Sequence, residues 1–564
     1  MDDKSTSSRA SSDTCATYST DWPGEWVTRL ARFAKRYSHD HLCSGGHLDP
    51  LATYLSEPYT RSIASKAGDQ DTQFAVLFDF ASDDDIETFL PSPYELAWIK
   101  ERNAIDVEST AQSQSQLLIL QGHPSPEWIN AIADTFSVDP EFFYHHLGRF
   151  FRKKTATSHT WPPLASQGLK EPCLRVITRG ILNKEAVEGR QERYMCKLRQ
   201  DVHELFGTYQ DFVRADNGID IGESLLRGIS VHDASHFSYE QDMSIWTTQT
   251  RSGWFALAWL DIGVHNLGHG RYGKELRAPL GGNADNTIFG PVVFRRASQI
   301  DTNHLSPRTA SLGDGDSNPI IPQNAMHLRR DYIETLDLSL ARLDSFYAVS
   351  SIFAFSAASE LQFLNMIKDV IHNDIREATI FRREDASLSN LLCNQLVLSE
   401  HISRLHANVS TIRARNSWPR LSCIPHDQRE QIEQACATLL ADFADLLQRA
   451  QDLANECERG IRKVEHLASQ AESKRAIAQA KGVERLTRLA FVFVPMSFTA
   501  SFFGMNFKQF GQGPLSIWVW FAVTVPIILV SLVLMVFRLR QKLTGCFTLW
   551  RRKKEGDIES GVVR

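Results

Sequence analysis

The chain has 564 residues, of which 43% are hydrophobic and 23% charged. Those are the proportions of folded globular protein, and they exclude both a mainly disordered chain and one embedded in a membrane throughout its length. The formal net charge of -6 is small for the length, and no long basic stripe interleaved with aromatics is present, which excludes a dedicated nucleic-acid binder.

The N-terminus, Met1-Asp-Asp-Lys-Ser-Thr-Ser-Ser-Arg9, lacks the apolar core of a signal peptide, and its acids suit a mitochondrial transit peptide poorly. Residues 1–20 are expected to be disordered and retained. From 21 to 332 the pattern predicts a cytosolic α+β domain. Short strands are expected at Gln73–Phe80, Gln116–Leu120, Leu174–Thr178, Leu226–Val231, Ser244–Thr248 and Gly253–Asp261, with helices such as Glu127–Phe136 between them. Asp83-Asp84-Asp85 after Ser82 suits a helix start, where carboxylates accept backbone N–H bonds. The stretch 281–323, rich in Gly, Asn, Asp, Ser and Pro, reads as a mobile loop.

Candidate metal ligands are few. His265 and His269 have the spacing of one helical face, but Gly268 and Gly270 argue against that helix, so an ordinary loop is expected. The nine cysteines (Cys15, Cys43, Cys173, Cys196, Cys393, Cys423, Cys436, Cys457 and Cys546) include no Cys-x-x-Cys pair. They read as reduced cytosolic thiols rather than a disulfide framework or zinc site. No phosphate-binding glycine loop or nucleophile motif occurs, so neither an enzyme nor a bound cofactor is expected.

Long helices follow over 333–488. One is expected from about Ile333 to His372. A second has no proline between Pro425 and Pro495 and repeats apolar residues at Ile432, Cys436, Leu439, Leu440, Phe443, Leu446, Leu447, Leu453, Ile461, Val464 and Leu467. The same pattern suits a bundle helix and a stalk, and its continuity into Leu486 favours the stalk.

Two charge-free runs end the series, Leu489–Phe507 and Ile517–Phe537. The first is long enough as a helix to span about 28 Å, close to a bilayer's hydrocarbon core. Two such runs joined by the short loop 508–516 predict a transmembrane hairpin, in which Pro495 and Pro526 are tolerable. Arg538, Arg540, Lys542, Arg551, Arg552, Lys553 and Lys554 follow the second run, whereas the loop holds Lys508 alone. The positive-inside rule then puts the tail 538–564 and the N-terminal domain in the cytosol, with Trp518 and Trp520 at the outer interface.

Drawn as a helix, the first span sets Val483, Leu486, Ala490, Val494, Ser497, Ser501 and Gly504 on one stripe, and Phe491, Phe498 and Phe502 on another side. Small and aliphatic residues at such spacing suit a pore lining and a close helix–helix contact equally.

Leu486-Thr487, Phe493-Val-Pro-Met-Ser-Phe498 and Gly504-Met505-Asn506 at the outer end of the penultimate span resemble the CorA family of magnesium transporters. Weaker similarity lies in Gly122-His-Pro-Ser-Pro-Glu-Trp-Ile-Asn130, Val138–Leu147, Ser345–Ser356 and Glu360–Asn365, which look like segments of fungal CorA-like proteins. The resemblance implies a homopentamer with five first spans around a pore in the lipid bilayer. It implies that Gly504, Met505 and Asn506 form the selectivity motif, with Asn506 engaging a hydrated divalent cation. Magnesium holds its water tightly, and amide oxygens can bond that water shell. Ser497 stands where the family has a pore hydroxyl, and Val483 and Leu486 match its hydrophobic constriction. The implied activity is passive, potential-driven magnesium influx at the plasma membrane, with cobalt or nickel also admitted. The loop Lys508–Leu515 departs from many relatives in having no acid, which favours the alternative of a membrane-anchored sensor or scaffold that conducts little.

Overall fold

The computed structural model describes residues 25–35, 45–56, 74–81, 86–96, 99, 115–151, 171–181, 191–214, 221–263, 288–294, 324–381, 384–503, 516–534 and 536–537. The chain divides into two compact units, residues 1–464 and 465–564.

The first unit is built on one sheet. Strands β1 (Ala75–Asp79), β2 (Glu87–Leu90), β3 (Gln116–Gln121), β4 (Cys173–Ile181), β5 (Gly228–Val231), β6 (His236–Gln249), β7 (Trp254–Leu260) and β8 (Ile288–Gly290) lie in the order β2-β1-β3-β7-β6-β4-β8, with β5 beside β6. Only β3 and β7 are parallel among these pairings. The inner strands are buried on both faces, so they read as unbroken apolar runs rather than as alternation. In β7, for example, Trp254, Ala256, Ala258 and Leu260 enter one core while Phe255, Leu257 and Trp259 enter the other.

Helices supply the outer layers. On one face lie α1 (Glu25–Ala34), α2 (Asp49–Ser56), α3 (Pro126–Phe136), α4 (Pro140–Phe151) and α5 (Gln191–Arg214). On the other lie α6 (Leu338–Leu343), α7 (Ser345–Arg376), α8 (Glu384–Arg413) and the first part of α9 (His426–Phe503). The expected α+β class with long helices is therefore present.

Local departures have local causes. The helix expected from Ile333 is divided, because Asp337 caps α6 by accepting from the Ser339 N–H and Asp344 caps α7 by accepting from the Tyr347 N–H. Each carboxylate satisfies an N–H that has no intrahelical acceptor, which makes a helix start cheaper there than continuation. The helix start expected at Asp83–Asp85 is followed by strand β2, which pairs with β1 from Glu87 to Leu90; the three aspartates lie outside the described residues. Ile288–Gly290 forms an edge strand within the supposed loop 281–323, whose other residues, apart from 291–294, lie outside the described ones. An edge strand of so few residues carries no readable period. His265 and His269 also lie outside the described residues.

Charged groups knit the sheet to its helices. Arg227 donates to both carboxylate oxygens of Asp261 at 2.6 and 2.7 Å, and Asp261 lies 3.0 Å from His146 Nε2. Burial alone would raise the Asp261 carboxyl, yet Arg227 and His146 hold it well below the usual carboxylate range. Arg175 pairs with Glu240 and Asp242, while His401 of α8 bridges Glu360 of α7 at 2.7 Å and Glu240 of β6 at 3.3 Å. Burial opposes a charge on His401, but the two glutamates outweigh it and push the imidazole up to about 9. These pairs fix the register of helices on the sheet, since removing one partner would leave a buried charge uncompensated.

Helix α9 buries Ile432, Cys436, Leu439, Phe443, Leu446, Ala450, Leu453, Cys457, Ile461 and Val464 along one stripe. Its approach to α7 and α8 is tight at Gly460, where a Cβ would come within 2.8 Å of Ile375 Cδ1 and 3.5 Å of Leu391 Cδ1. Beside this crossing Asp374 accepts from Asn390 Nδ2 at 2.9 Å through one oxygen, and its other oxygen is buried without a hydrogen-bond partner. Asn390 in turn accepts from Arg199 of α5 at 2.6 Å. Burial pushes the Asp374 carboxyl up to about 7.

Candidate functional site

The second unit contains the end of α9 and helix α10 (Ile517–Leu534). Both are long and apolar enough to cross a membrane by length and composition. The first span is not a separate element, because α9 is unbroken from His426 to Phe503. Neither Gly482 nor Pro495 ends it. Proline cannot donate to the carbonyl four residues earlier, and a membrane helix tolerates the loss where neighbouring hydroxyls and helices support the backbone. After the proline Ser497 donates to the Val494 carbonyl and Thr499 to the Met496 carbonyl, both at 3.0 Å, neither of them the Phe491 carbonyl that Pro495 leaves.

From Glu472 to Ala490 every residue of α9 is exposed in the protomer, including Ile477, Val483, Leu486 and Leu489. Glu484 and Arg488 pair one turn apart just before the charge-free segment. A long helix whose apolar side chains have no partner within the protomer is poorly stabilised in water.

The predicted stripe keeps together as a face. Val483, Leu486, Ala490, Val494, Ser497 and Ser501 are all exposed, with Leu486 at 69% and Val494 at 63%. The second span packs mainly on a different side of the helix, at Thr499, and reaches the edge of the stripe at Val494 and Ser497. Thr499 and Thr524 are the two buried residues of the hairpin among those described, at 2% and 3% exposure, and Thr524 donates to Thr499 Oγ1 at 3.0 Å. Trp520 is half-buried in a groove between the spans, lined also by Phe493, Val494, Met496, Ser497 and Ala500, whereas Trp518 is 75% exposed. Phe498 and Phe502 stack on each other along the flank, their centroids 6.2 Å apart.

The Ser497 hydroxyl gives its proton to the backbone but keeps acceptor capacity on the stripe. With its carbon neighbours, the face offers a mainly apolar wall with hydroxyl oxygens towards one end. Gly504, Met505 and Asn506, residues 508–515 and the basic tail from Arg538 lie outside the described residues. Among the described residues no group of three or more His, Cys, Asp or Glu side chains is arranged to hold a metal ion.

Residues 389–541 match the family model described as CorA-like Mg2+ transporter protein. The C-terminal part of the chain is CorA-like. The matched region takes in most of α8, all of α9 and α10, and so contains every residue of the exposed stripe. The family is one of magnesium transporters. A comparison with curated proteins finds no match.

Sequence reasoning did not single out Thr499 or Thr524. Two threonines separated by 25 positions carry no pattern, and only the packing of α10 against α9 brings them together.

Proposed function

We propose that the chain is a magnesium channel that conducts passively down the membrane potential. Five copies would set their first spans around a common axis, with Val483, Leu486, Ala490, Val494, Ser497 and Ser501 lining the pore. The observation that carries this reading is the uncharged stripe left exposed on the side of α9 away from Thr524, within the part of the chain matched by the CorA-like model. The exposed stretch Glu472–Ala490 supports self-association, since neighbouring copies would cover apolar side chains that the protomer leaves open.

In this reading Gly504-Met505-Asn506 forms the outer mouth, and the Asn506 carboxamide bonds the water shell of the ion. Leu486 and Val483 form an apolar constriction that stops ions by dewetting. Both termini face the cytosol and the plasma membrane is the site of action. Magnesium is cargo, cobalt and nickel are admitted as alternative cargo, and neither a resident cofactor nor an enzymatic activity is assigned.

A second reading, a CorA-like sensor or scaffold with little conduction, is favoured by the absence of any acid in 508–516. Expression in cells that lack magnesium uptake separates the two. Growth at limiting magnesium supports the channel, and no growth at verified surface abundance supports the scaffold.

A further inference from the structure

The most buried point between the two membrane spans is polar, which is the reverse of what an apolar solvent favours unless each hydroxyl is satisfied. Thr524 gives its proton to Thr499 Oγ1 at 3.0 Å, and Thr499 gives its own to the Met496 carbonyl at 3.0 Å. The chain of donors thus ends on the helix backbone. Around this pair, Phe493, Phe498, Phe502, Val525, Leu529 and Val530 are exposed, and apolar contact of that kind with lipid or a neighbour discriminates weakly between rotations of the helix.

Rotation is what the threonines discriminate. At about 100° per residue, Val483, Leu486, Ala490, Val494, Ser497 and Ser501 all lie about 140 to 180° around the helix from Thr499. A hydrogen bond from Thr524 therefore turns most of the stripe away from α10, although Val494 and Ser497 border the groove that holds Trp520. We propose that Thr499 and Thr524 form a rotational clamp, positioning residues that hold the first span with its Val483–Ser501 stripe facing the conduction path. This inference rests on the pore reading above for its functional meaning, although the clamp itself is a property of the hairpin. Neither threonine would touch the ion.

The test uses the full-length protein in phospholipid vesicles with Thr499→Val, Thr524→Val and Thr499→Ser, the last of which keeps the hydroxyl. Two quantities are read: magnesium influx per inserted protein, and site-resolved labelling by a membrane-impermeant thiol reagent of Ser497→Cys and Phe498→Cys in each background. With the clamp intact, Ser497→Cys labels several-fold faster than Phe498→Cys. Either valine variant should erase that contrast and lower influx several-fold, while Thr499→Ser restores both. Valine variants that keep the contrast overturn the clamp, whether or not the protein is less abundant, because loss of packing alone lowers abundance without turning the helix. A parent with no contrast overturns it as well. A parent that carries no magnesium but shows a contrast erased by valine sinks the pore reading and leaves the clamp standing.

Discussion

Asp374→Asn should make the protein more stable than the parent above neutral pH, and most of that advantage should be gone near pH 5. Asp374 is 7% exposed, one of its oxygens has no hydrogen-bond partner, and burial pushes its carboxyl from 3.8 up to about 7. Between those values the folded state binds the proton and the unfolded state has released it, so stability falls as pH rises through the window and the full penalty stands above about pH 7. A shift of about three units corresponds to about 4 kcal/mol. Asparagine removes the charge and keeps an acceptor for Asn390, but it buries an amide N–H with no acceptor, at about 1–3 kcal/mol. The balance is a gain of about 1–3 kcal/mol at pH 8.5 that shrinks by about 2–3 kcal/mol at pH 5, where the folded parent carboxyl is mostly protonated and only the part of the penalty between 3.8 and pH 5 remains. Thermal unfolding midpoints of the detergent-solubilised parent and variant, measured side by side, should therefore lie furthest apart at pH 8.5, with the variant higher, and converge as the pH falls to 5. Groups that titrate alike in both proteins cancel in the difference. Curves separated by a constant interval would refute the assignment of an uncompensated carboxyl at the α7–α8–α9 junction.

Gly460→Val should destabilise the first unit by about 1–3 kcal/mol through overpacking against Ile375 and Leu391, and Gly482→Val, which meets nothing within 4 Å, should not; equal midpoints for the two variants would contradict the close crossing. Leu486→Asn should hydrate the constriction and leave the channel leaky, with a larger current than the parent when recorded by patch clamp and normalised to surface protein; a current no larger than the parent's would remove Leu486 from the constriction. A tag placed after Arg564 should be reached only from the cytosol in a protease-protection assay, and external cleavage would reverse the topology.

Much of this architecture was legible because burial repeats along the chain. Six expected strands correspond to β1, β3, β4, β5, β6 and β7, since doubly buried strands are apolar without interruption. Helix α9 showed itself through the period that buries Ile432 to Val464 on one side. Edge strands β2 and β8 did not, being too short for a pattern. Helix α8 was hidden for another reason: Leu391 and Leu398 are buried while Leu392 and Leu396 are exposed, so apolar residues fall around its circumference and mark no single face. The break at Asp344 was overlooked although its capping chemistry stood in the sequence. In the hairpin, the composition gave the spans and the stripe, whereas the Thr499–Thr524 bond and the buried pairs of Asp261 and His401 depend on contacts between distant segments that no local period announces.

Magnesium influx into phospholipid vesicles containing purified protein tests the central claim, with an internal magnesium-sensitive dye and an imposed inside-negative potential. The parent should admit magnesium, and Asn506→Ala, inserted to the same level, should admit almost none. Influx through Asn506→Ala equal to that of the parent would contradict a pore whose mouth is formed by Asn506, and vesicles tight to magnesium with the parent protein would contradict conduction itself.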